Sequence, residues 1–148
     1  MVDWLTFFVQ TIEAVHIPLS VVLSASGCRE GWLQAEIFRA GRRHNLRVNE
    51  FSLGGRQTAD ISCGDGPEML AEIKIVGADY FPKMQGYIES DVHRMRAAST
   101  VSTRCYMILI VPRSGKKSQL GNYLDTCSFS SKCMEREWPE FRLRVWEL

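Results

Sequence analysis

Three charged residues stand inside two segments of the sequence that otherwise have the character of β-strands. Asp60 lies in TADISCG, and Glu72 and Lys74 lie in EMLAEIKIV, on the two sides of a turn rich in glycine and proline. A pair of carboxylates suits Mg²⁺, which takes hard oxygen ligands and keeps water or substrate phosphate in its remaining positions. A neighbouring ammonium group could orient an attacking water or stabilise charge on a scissile phosphate. These residue types make hydrolysis of a phosphodiester chemically reasonable.

Strand geometry decides whether these side chains can meet. Alternate side chains share a face of a strand, so Glu72 and Lys74 project together, and the polar positions of the preceding strand include Asp60. A turn with an odd number of residues, or a bulge, would place Asp60 opposite Glu72. Because Pro67 cannot take the left-handed position of a three-residue loop, we expect a longer loop or a bulge. The alternative that these charges only keep an exposed strand soluble stays open.

The arrangement Asp60-x11-Glu72-x-Lys74 on two adjacent strands resembles the PD-(D/E)xK motif of the restriction-endonuclease-like nuclease superfamily. Ala59 stands where that motif often has proline. The resemblance covers residues 30–112 and implies an α/β fold, a restriction-endonuclease-like three-layer sandwich with a central mixed β-sheet flanked by helices. It also implies a metal-dependent nuclease that hydrolyses phosphodiester bonds of nucleic acid with Mg²⁺ or Mn²⁺.

The resemblance further implies a role for individual residues. Asp60 and Glu72 would be metal ligands, and Lys74 would orient water or stabilise charge. The helix before the first strand would supply an accessory carboxylate, for which Glu36 is the first choice and Glu30 the second. The catalytic and metal-binding residues implied in this way are Asp60, Glu72, Lys74, Glu36 and, through its backbone carbonyl, Ile73.

A basic run at 39–56, RAGRRHNLRVNEFSLGGR, contains a single acidic residue, Glu50. By itself such a run is typical of a solvated helix end and loop, where arginine also favours the negative end of the helix dipole. Beside a phosphodiesterase site it would hold the phosphate backbone and make binding depend strongly on salt. The predicted nucleic-acid-binding residues are Arg42, Arg43, Arg47 and Arg56.

Composition places the chain among ordinary globular proteins. Its 148 residues, 45% of them hydrophobic, predict one domain that buries its own core, and its formal net charge is only +1. The five cysteines include no CxxC pair, which favours a reducing cytoplasm over a disulfide framework or a zinc ribbon. The expected partner is nucleic acid, DNA favoured over RNA, with a possible homodimer. The alternative function is a non-catalytic nucleic-acid-binding or protein-interaction module on the same scaffold.

The N-terminal segment WLTFFVQTIEAVHIPLSVVLSA is the one stretch with the length of a membrane span. We expect no span there, because a charged residue such as Glu13 near a bilayer centre costs about 2.5 to 3.5 kcal/mol on insertion scales. Apolar residues recur at helical spacing over residues 4–15, which predicts an amphipathic helix that ends before Pro18. Residues 19–26 are predicted to form a strand or an extended connection.

The remaining elements follow from apolar periodicity. Helices are predicted at residues 30–40, ended by Gly41, and at 83–99. On the second of these helices Asp91 and Arg94, three residues apart, are expected to form a surface ion pair, with phosphate binding as the alternative role of Arg94. Strands are predicted at 46–54, 58–64, 68–76, 104–112 and 140–148. A short helix is predicted at 116–126, before the last of these strands.

The resulting element order α, β, β, β, α, β, α, β predicts one domain with a mixed sheet. The almost continuous apolar run at 104–112 is typical of a strand covered on both faces. We expect an N-terminal helix and connection at 1–29, the nuclease core at 30–112 and a C-terminal extension at 113–148.

Overall fold

The computed structural model describes residues 1–25, 27–76, 81–113 and 123–148, and of residues 81 and 82 the main chain alone. These residues form a mixed six-stranded β-sheet with helices on both faces, which confirms the expected α/β class. The helices are α1 (Trp4–Ala14), α2 (His16–Val22), α3 (Arg29–Ala40) and α4 (Phe81–Ala98), with a 3₁₀ turn, η1, at Arg42–His44. The strands are β1 (Leu46–Val48), β2 (Ser52–Gly54), β3 (Gln57–Thr58), β4 (Ile61–Cys63), β5 (Met69–Ile75), β6 (Arg104–Pro112), β7 (Cys133–Glu137) and β8 (Phe141–Glu147).

The order of strands across the main sheet is β1-β4-β5-β6-β8-β7. Strands β5 and β6 are parallel and connected through α4, whereas the other neighbouring pairs of this sheet are antiparallel. Strands β2 and β3 form a separate two-stranded sheet. Strand β5 pairs with β4 on one side and with β6 on the other, and α4 packs on β5 and β6. The segments that carry the predicted site are therefore neighbours in space.

Strand β6 lies at the centre of the sheet and is buried on both sides, as its apolar run predicted. Tyr106 and Ile108 alternate with Met107 and Leu109, and the two pairs belong to different hydrophobic clusters. The first cluster includes residues of α1, α2 and α3, and the second includes residues of α4. Helices α1 to α3 therefore cover one face of the sheet, and α4 covers the other.

The β4–β5 hairpin has the register that would place Asp60 opposite Glu72. Ile61 pairs with Ala71 and Cys63 with Met69, so the next pair of positions beyond the strand is 60 and 72. The connecting loop is residues 64–68, an odd number, and it begins at Gly64 with φ +81°. Glycine adopts this left-handed conformation without the steric cost of a Cβ atom. The expectation of a loop longer than three residues is confirmed.

The predicted strand at 46–54 is wrong, because the chain turns at Asn49, which has φ 54°. Residues on the two sides of this turn form β1 and β2, which belong to different sheets. The predicted strand at 58–64 is likewise divided, between β3 and β4. Asparagine tolerates the left-handed region better than most residues, and that preference was the available signal for a break.

Residues 19–22, predicted to be extended, are helical and belong to α2. Pro18 does not precede the end of a helix but lies in the first turn of α2, where its missing N–H would have had no intrahelical partner. Strand β7 was missed because its sequence, CMERE, lacks apolar alternation. Of the short helix expected at 116–126, residues 123–126 are helical and the others lie outside the described residues.

Helix α1 packs against the sheet through Trp4, Phe8 and Ile12, which are buried. Within the described ranges no single helix has the length and apolar character to span a bilayer. Helices α1 and α2 reach that length only together, as a pair bent by 71°.

Candidate active site

The candidate site lies beside the first residue of β4, Ile61, beyond which one edge of β5 has no neighbouring strand among the described residues. Two backbone N–H groups of β5 then donate to side-chain carboxylates instead of to a strand. Ile73 N donates to Asp60 Oδ2 at 2.7 Å, and Ile75 N donates to Glu30 Oε1 at 3.0 Å. Backbone donors inside a protein need partners, so these bonds fix the two carboxylates at the sheet edge. The predicted use of the Ile73 carbonyl as a metal ligand stays a prediction.

Gln34 on α3 holds the second oxygen of Asp60. Its Nε2 donates to Asp60 Oδ1 at 2.7 Å, and its Oε1 accepts from Asn49 Nδ2 at 3.3 Å. Glu30 and Gln34 are four residues apart and therefore share one face of the helix. Sequence reasoning missed Gln34, although its spacing from Glu30 was a usable signal.

Glu36, the first choice for the accessory carboxylate, is not brought to this group. Its Oε2 lies 2.7 Å from Arg39 Nη2 in a pair on the outer side of α3. Six residues after Glu30, the helix has rotated by about 240°, so Glu36 cannot share the face that meets β5. The structure brings the second choice, Glu30, to the sheet edge.

Glu72 projects from β5 toward α4 and is only 8% exposed. Within the described part of the chain its Oε2 atom is buried and has no hydrogen-bond partner. Burial and then the negative charge of Asp60 raise the pKa of Glu72 to about 7, although Lys74, Arg94 and a hydrogen bond from the Asp60 backbone N–H act in the opposite direction. A buried carboxylate oxygen without a partner is costly, which makes this atom the main candidate for a ligand contact.

Lys74 and Arg94 share one counter-ion, Asp91 on α4. Lys74 Nζ lies 3.1 Å from Asp91 Oδ2, and Arg94 Nη2 pairs with Asp91 Oδ1. The Asp91–Arg94 pair was expected at the surface, but Asp91 is only 4% exposed because α4 packs its face on β5 and β6. Asp91 was therefore a missed member of the site.

The negative charges around Asp60 and Glu72 outnumber the positive ones. Burial raises the pKa of Asp60, as does the negative charge of Glu30, while the Ile73 N–H, Lys74 and Gln34 lower it, and the net shift is upward. Four carboxylates face two cations, which leaves two net negative charges when all are ionised. We call these six residues the carboxylate cluster, and its members are Glu30, Asp60, Glu72, Lys74, Asp91 and Arg94.

The carboxylate cluster fits a divalent cation in charge and in donor chemistry. A divalent ion would balance the two excess negative charges and could bind the unpaired oxygen of Glu72. Within residues 1–25, 27–76, 81–113 and 123–148, no group of three or more His, Cys, Asp or Glu side chains is arranged to hold a metal by itself. Mg²⁺ is commonly held by one or two carboxylates, with water and substrate oxygens completing its shell, so the residues fit that kind of site.

The predicted nucleic-acid-binding arginines occupy different places. Arg42 and Arg43 lie in η1 and are exposed, and η1 precedes β1, whose first residue pairs with the end of β4 next to the hairpin loop. That end is three residues, about 10 Å, along β4 from Asp60. The structure therefore does not bring Arg42 and Arg43 to the carboxylate cluster.

Arg47 and Arg56 differ in their partners. Arg47, on β1, pairs with Asp65 in the hairpin loop, and its Nη1 lies 3.7 Å from Glu50 Oε2. Arg56 is exposed in the turn between β2 and β3. Of the four predicted arginines, Arg47 alone has an acidic partner among the described residues.

Comparison with known proteins adds no relative. The chain matches no protein-family model, no curated protein and no solved structure. Inference about function therefore starts from the geometry and the charges of the carboxylate cluster.

Proposed function

We propose that this protein is a metal-dependent nuclease with a restriction-endonuclease-like fold, which hydrolyses phosphodiester bonds with Mg²⁺ or Mn²⁺. One observation carries the proposal: among the described residues, the buried Oε2 of Glu72 has neither a hydrogen-bond partner nor an ion-pair partner, in a cluster that has two excess negative charges when all its groups are ionised. Proteins that bury a charged group usually pair it or use it to coordinate a metal. Perturbed carboxylates of this kind are concentrated at functional sites.

The arrangement of the elements supports the fold part of the proposal. The segment from α3 to β6 contains a helix, the antiparallel strands β1, β4 and β5, a second helix, and a strand parallel to β5. This is the helix, strand meander, helix and buried strand that the resemblance implies for residues 30–112. Helices on both faces of a mixed sheet agree with a three-layer sandwich.

The residues of the chain have distinct roles in the proposed reaction. Asp60 and Glu72 would hold the ion, which when bound supplies a Lewis acid for the phosphate. Gln34 and the Ile73 N–H keep Asp60 in one orientation, so that little reorganisation is needed on binding. Lys74 would stabilise the negative charge that develops on the phosphate oxygens.

A direct test compares two carboxylates of the same chain. We expect purified protein with Mn²⁺ to nick plasmid DNA or cut single-stranded DNA or RNA, and Glu72→Gln to lower the rate by at least about a hundredfold. Glu36→Gln is the matched control, because Glu36 pairs with Arg39 away from the cluster. Absence of cleavage by wild-type protein on all of these substrates, or full activity of Glu72→Gln, would contradict the proposal.

The second candidate is a non-catalytic nucleic-acid-binding module on the same scaffold. It is favoured by the position of the exposed Arg42 and Arg43, which lie at the far end of β4 from the carboxylates. If this candidate is right, the wild-type protein binds DNA in a salt-dependent way but does not cleave it. Reversal of the charges of Arg42 and Arg43 should then weaken that binding. DNA remains favoured over RNA as the bound nucleic acid in either case, and a nuclease domain of this size would need a homodimer or two nicks for a double-strand break.

A further inference from the structure

Within the described residues, Lys74 forms its ion pair with Asp91 and not with Glu72, the carboxylate that lies next to it on the same strand face. Glu72 and Lys74 are two residues apart on β5, within the reach of a lysine side chain. An unpaired buried carboxylate is costly, so a cation within reach would be expected to pair with it. The oxygen Oε2 of Glu72 has no partner within the described part of the chain, whereas Lys74 Nζ lies 3.1 Å from Asp91 Oδ2.

Asp91 pairs with both cations of the carboxylate cluster, Lys74 and Arg94. Its Oδ2 lies at ion-pair distance from Lys74 Nζ but makes no hydrogen bond within the described residues, its Oδ1 pairs with Arg94, and the residue is almost fully buried between α4 and the sheet. Arg94 is also close enough to Glu72 to act on it electrostatically. Among the described residues, the buried carboxylate on α4 thus forms ion pairs with two cations, whereas the carboxylate of Glu72 on β5 forms none.

We propose that Asp91 is a positioning residue that holds Lys74 and Arg94 away from Glu72 and so keeps Glu72 open to a divalent cation. The inference rests on the proposed function, because it takes a metal ion as the ligand of Glu72. When Asp91 is replaced, Lys74 turns to Glu72 and forms the ion pair that the wild-type protein avoids. A metal ion must then compete with the lysine for the same oxygen.

The test measures Mn²⁺ binding to the purified full chain by isothermal titration calorimetry. Asp91→Asn removes the counter-ion, and Asp91→Asn/Arg94→Met removes it together with one cation, so the double variant has the net charge of the wild type. We expect Mn²⁺ to bind about tenfold or more weakly in both variants, because Lys74 is free to pair with Glu72 in both. Circular dichroism spectra and urea midpoints show whether each variant is folded.

Two controls separate position from charge. Asp65→Asn removes an acidic residue that pairs with Arg47 at the hairpin loop, and it should leave Mn²⁺ affinity near the wild-type value. Asp91→Glu retains the carboxylate and should retain most of the affinity. Equal binding by wild type and Asp91→Asn would overturn the inference. Recovery of wild-type affinity in the double variant would also overturn it, since net charge would then explain the loss.

Failure of the proposed function has a different result. If the wild-type protein binds no Mn²⁺, the metal proposal is wrong, and the crystal structure of Asp91→Asn then decides the inference about Lys74. Lys74 Nζ within hydrogen-bonding distance of Glu72 would support the positioning role. Lys74 still directed toward position 91 would overturn it.

Discussion

Two groups of charged side chains lie on the same sheet and differ in how their carboxylates are paired. In the carboxylate cluster, Glu72 has a buried oxygen without a hydrogen-bond partner among the described residues and a raised pKa. On the neighbouring strands β7 and β8, Glu135 binds Arg142 through one oxygen at 2.7 Å and Arg144 through the other at 2.5 Å. We call this second group, together with Asp125 and Glu137, the β7–β8 ion network.

The pKa values separate the two groups further. Burial alone would raise the pKa of Glu135, but hydrogen bonds from Arg142 and Arg144 lower it overall. For Glu72, burial and Asp60 outweigh the nearby cations. Removal of one partner from a paired network of this kind is costly, whereas a buried carboxylate oxygen without a partner itself reduces stability. The carboxylate cluster, where a ligand is expected, is therefore expected to contribute less to stability than the β7–β8 ion network.

The largest effect on stability is expected in the β7–β8 ion network. Glu135→Gln leaves Arg142 and Arg144 without their shared carboxylate, and their side chains are only 15% and 13% exposed. We expect a loss of about 2 to 4 kcal/mol in the free energy of unfolding, measured with urea. Glu137→Gln is the matched control on the same strand, because Glu137 is half exposed, and its cost should be below about 1 kcal/mol. Equal losses would contradict the importance of the shared carboxylate.

The opposite sign is expected in the carboxylate cluster. Glu72→Gln removes a buried negative charge and keeps nearly the same shape. At pH 8 with a chelator present, we expect this variant to be more stable than the wild type by about 1 to 3 kcal/mol in urea unfolding. A less stable Glu72→Gln variant would show that the charge of Glu72 already has a stabilising partner, and the contrast with Glu135 would be lost.

The contributions of Glu72 and Glu135 to the free energy of unfolding should also change with pH in opposite directions. The pKa of Glu72 rises from an ordinary value of 4.5 to about 7 on folding, so the folded state binds more protons between these values. The stability that Glu72 contributes by taking up this proton is therefore fully present below pH 4.5, and it is lost as the pH rises toward and through 7. Glu135, whose pKa is lowered, stabilises the fold above its ordinary value of 4.5 and loses that contribution as the pH falls through its folded value. Urea unfolding of wild type, Glu72→Gln and Glu135→Gln from about pH 2 to 8 checks both slopes.

The smallest of these effects concerns the support of Asp60. Gln34→Leu removes the amide that donates to Asp60 Oδ1 and leaves that carboxylate with fewer donors. We expect a loss of about 1 to 2 kcal/mol in the free energy of unfolding. Gln85→Leu on the exposed side of α4, where the amide donates to Glu89, is the control and should cost less. If the two variants lose equal stability, the Gln34 bond has no special role.

The part of the site that depends on strand register could be predicted from the sequence. Alternation along β5 placed Glu72 and Lys74 on one face, and the turn composition predicted a loop longer than three residues or a bulge, of which the five-residue loop confirms the first. The same alternation did not foresee that the Asp60 carboxylate lies at the sheet edge and binds the Ile73 N–H. That contact exists because β4 begins only at Ile61, one residue after Asp60, and the limits of strands are poorly marked in a sequence.

The helical part of the site was harder to predict because it depends on which face of each helix meets the sheet. Glu36 was preferred to Glu30, although Glu30 and Gln34 have the spacing of one helical face. Asp91 was assigned to the surface because its pairing with Arg94 has the ordinary spacing of an exposed ion pair. Only tertiary packing shows that α4 turns Asp91 toward β5, where Lys74 meets it.

The hairpin register described above has a consequence for how the protein folds. Strands β4 and β5 are separated by five residues, so they can pair within microseconds and align Asp60 with Glu72 while both are still hydrated. The desolvation of Glu72 requires α4 and the parallel strand β6, which are contacts of longer range and form more slowly. The free energy cost of burying this carboxylate therefore falls on a late stage of folding, after the alignment of the two carboxylates is complete.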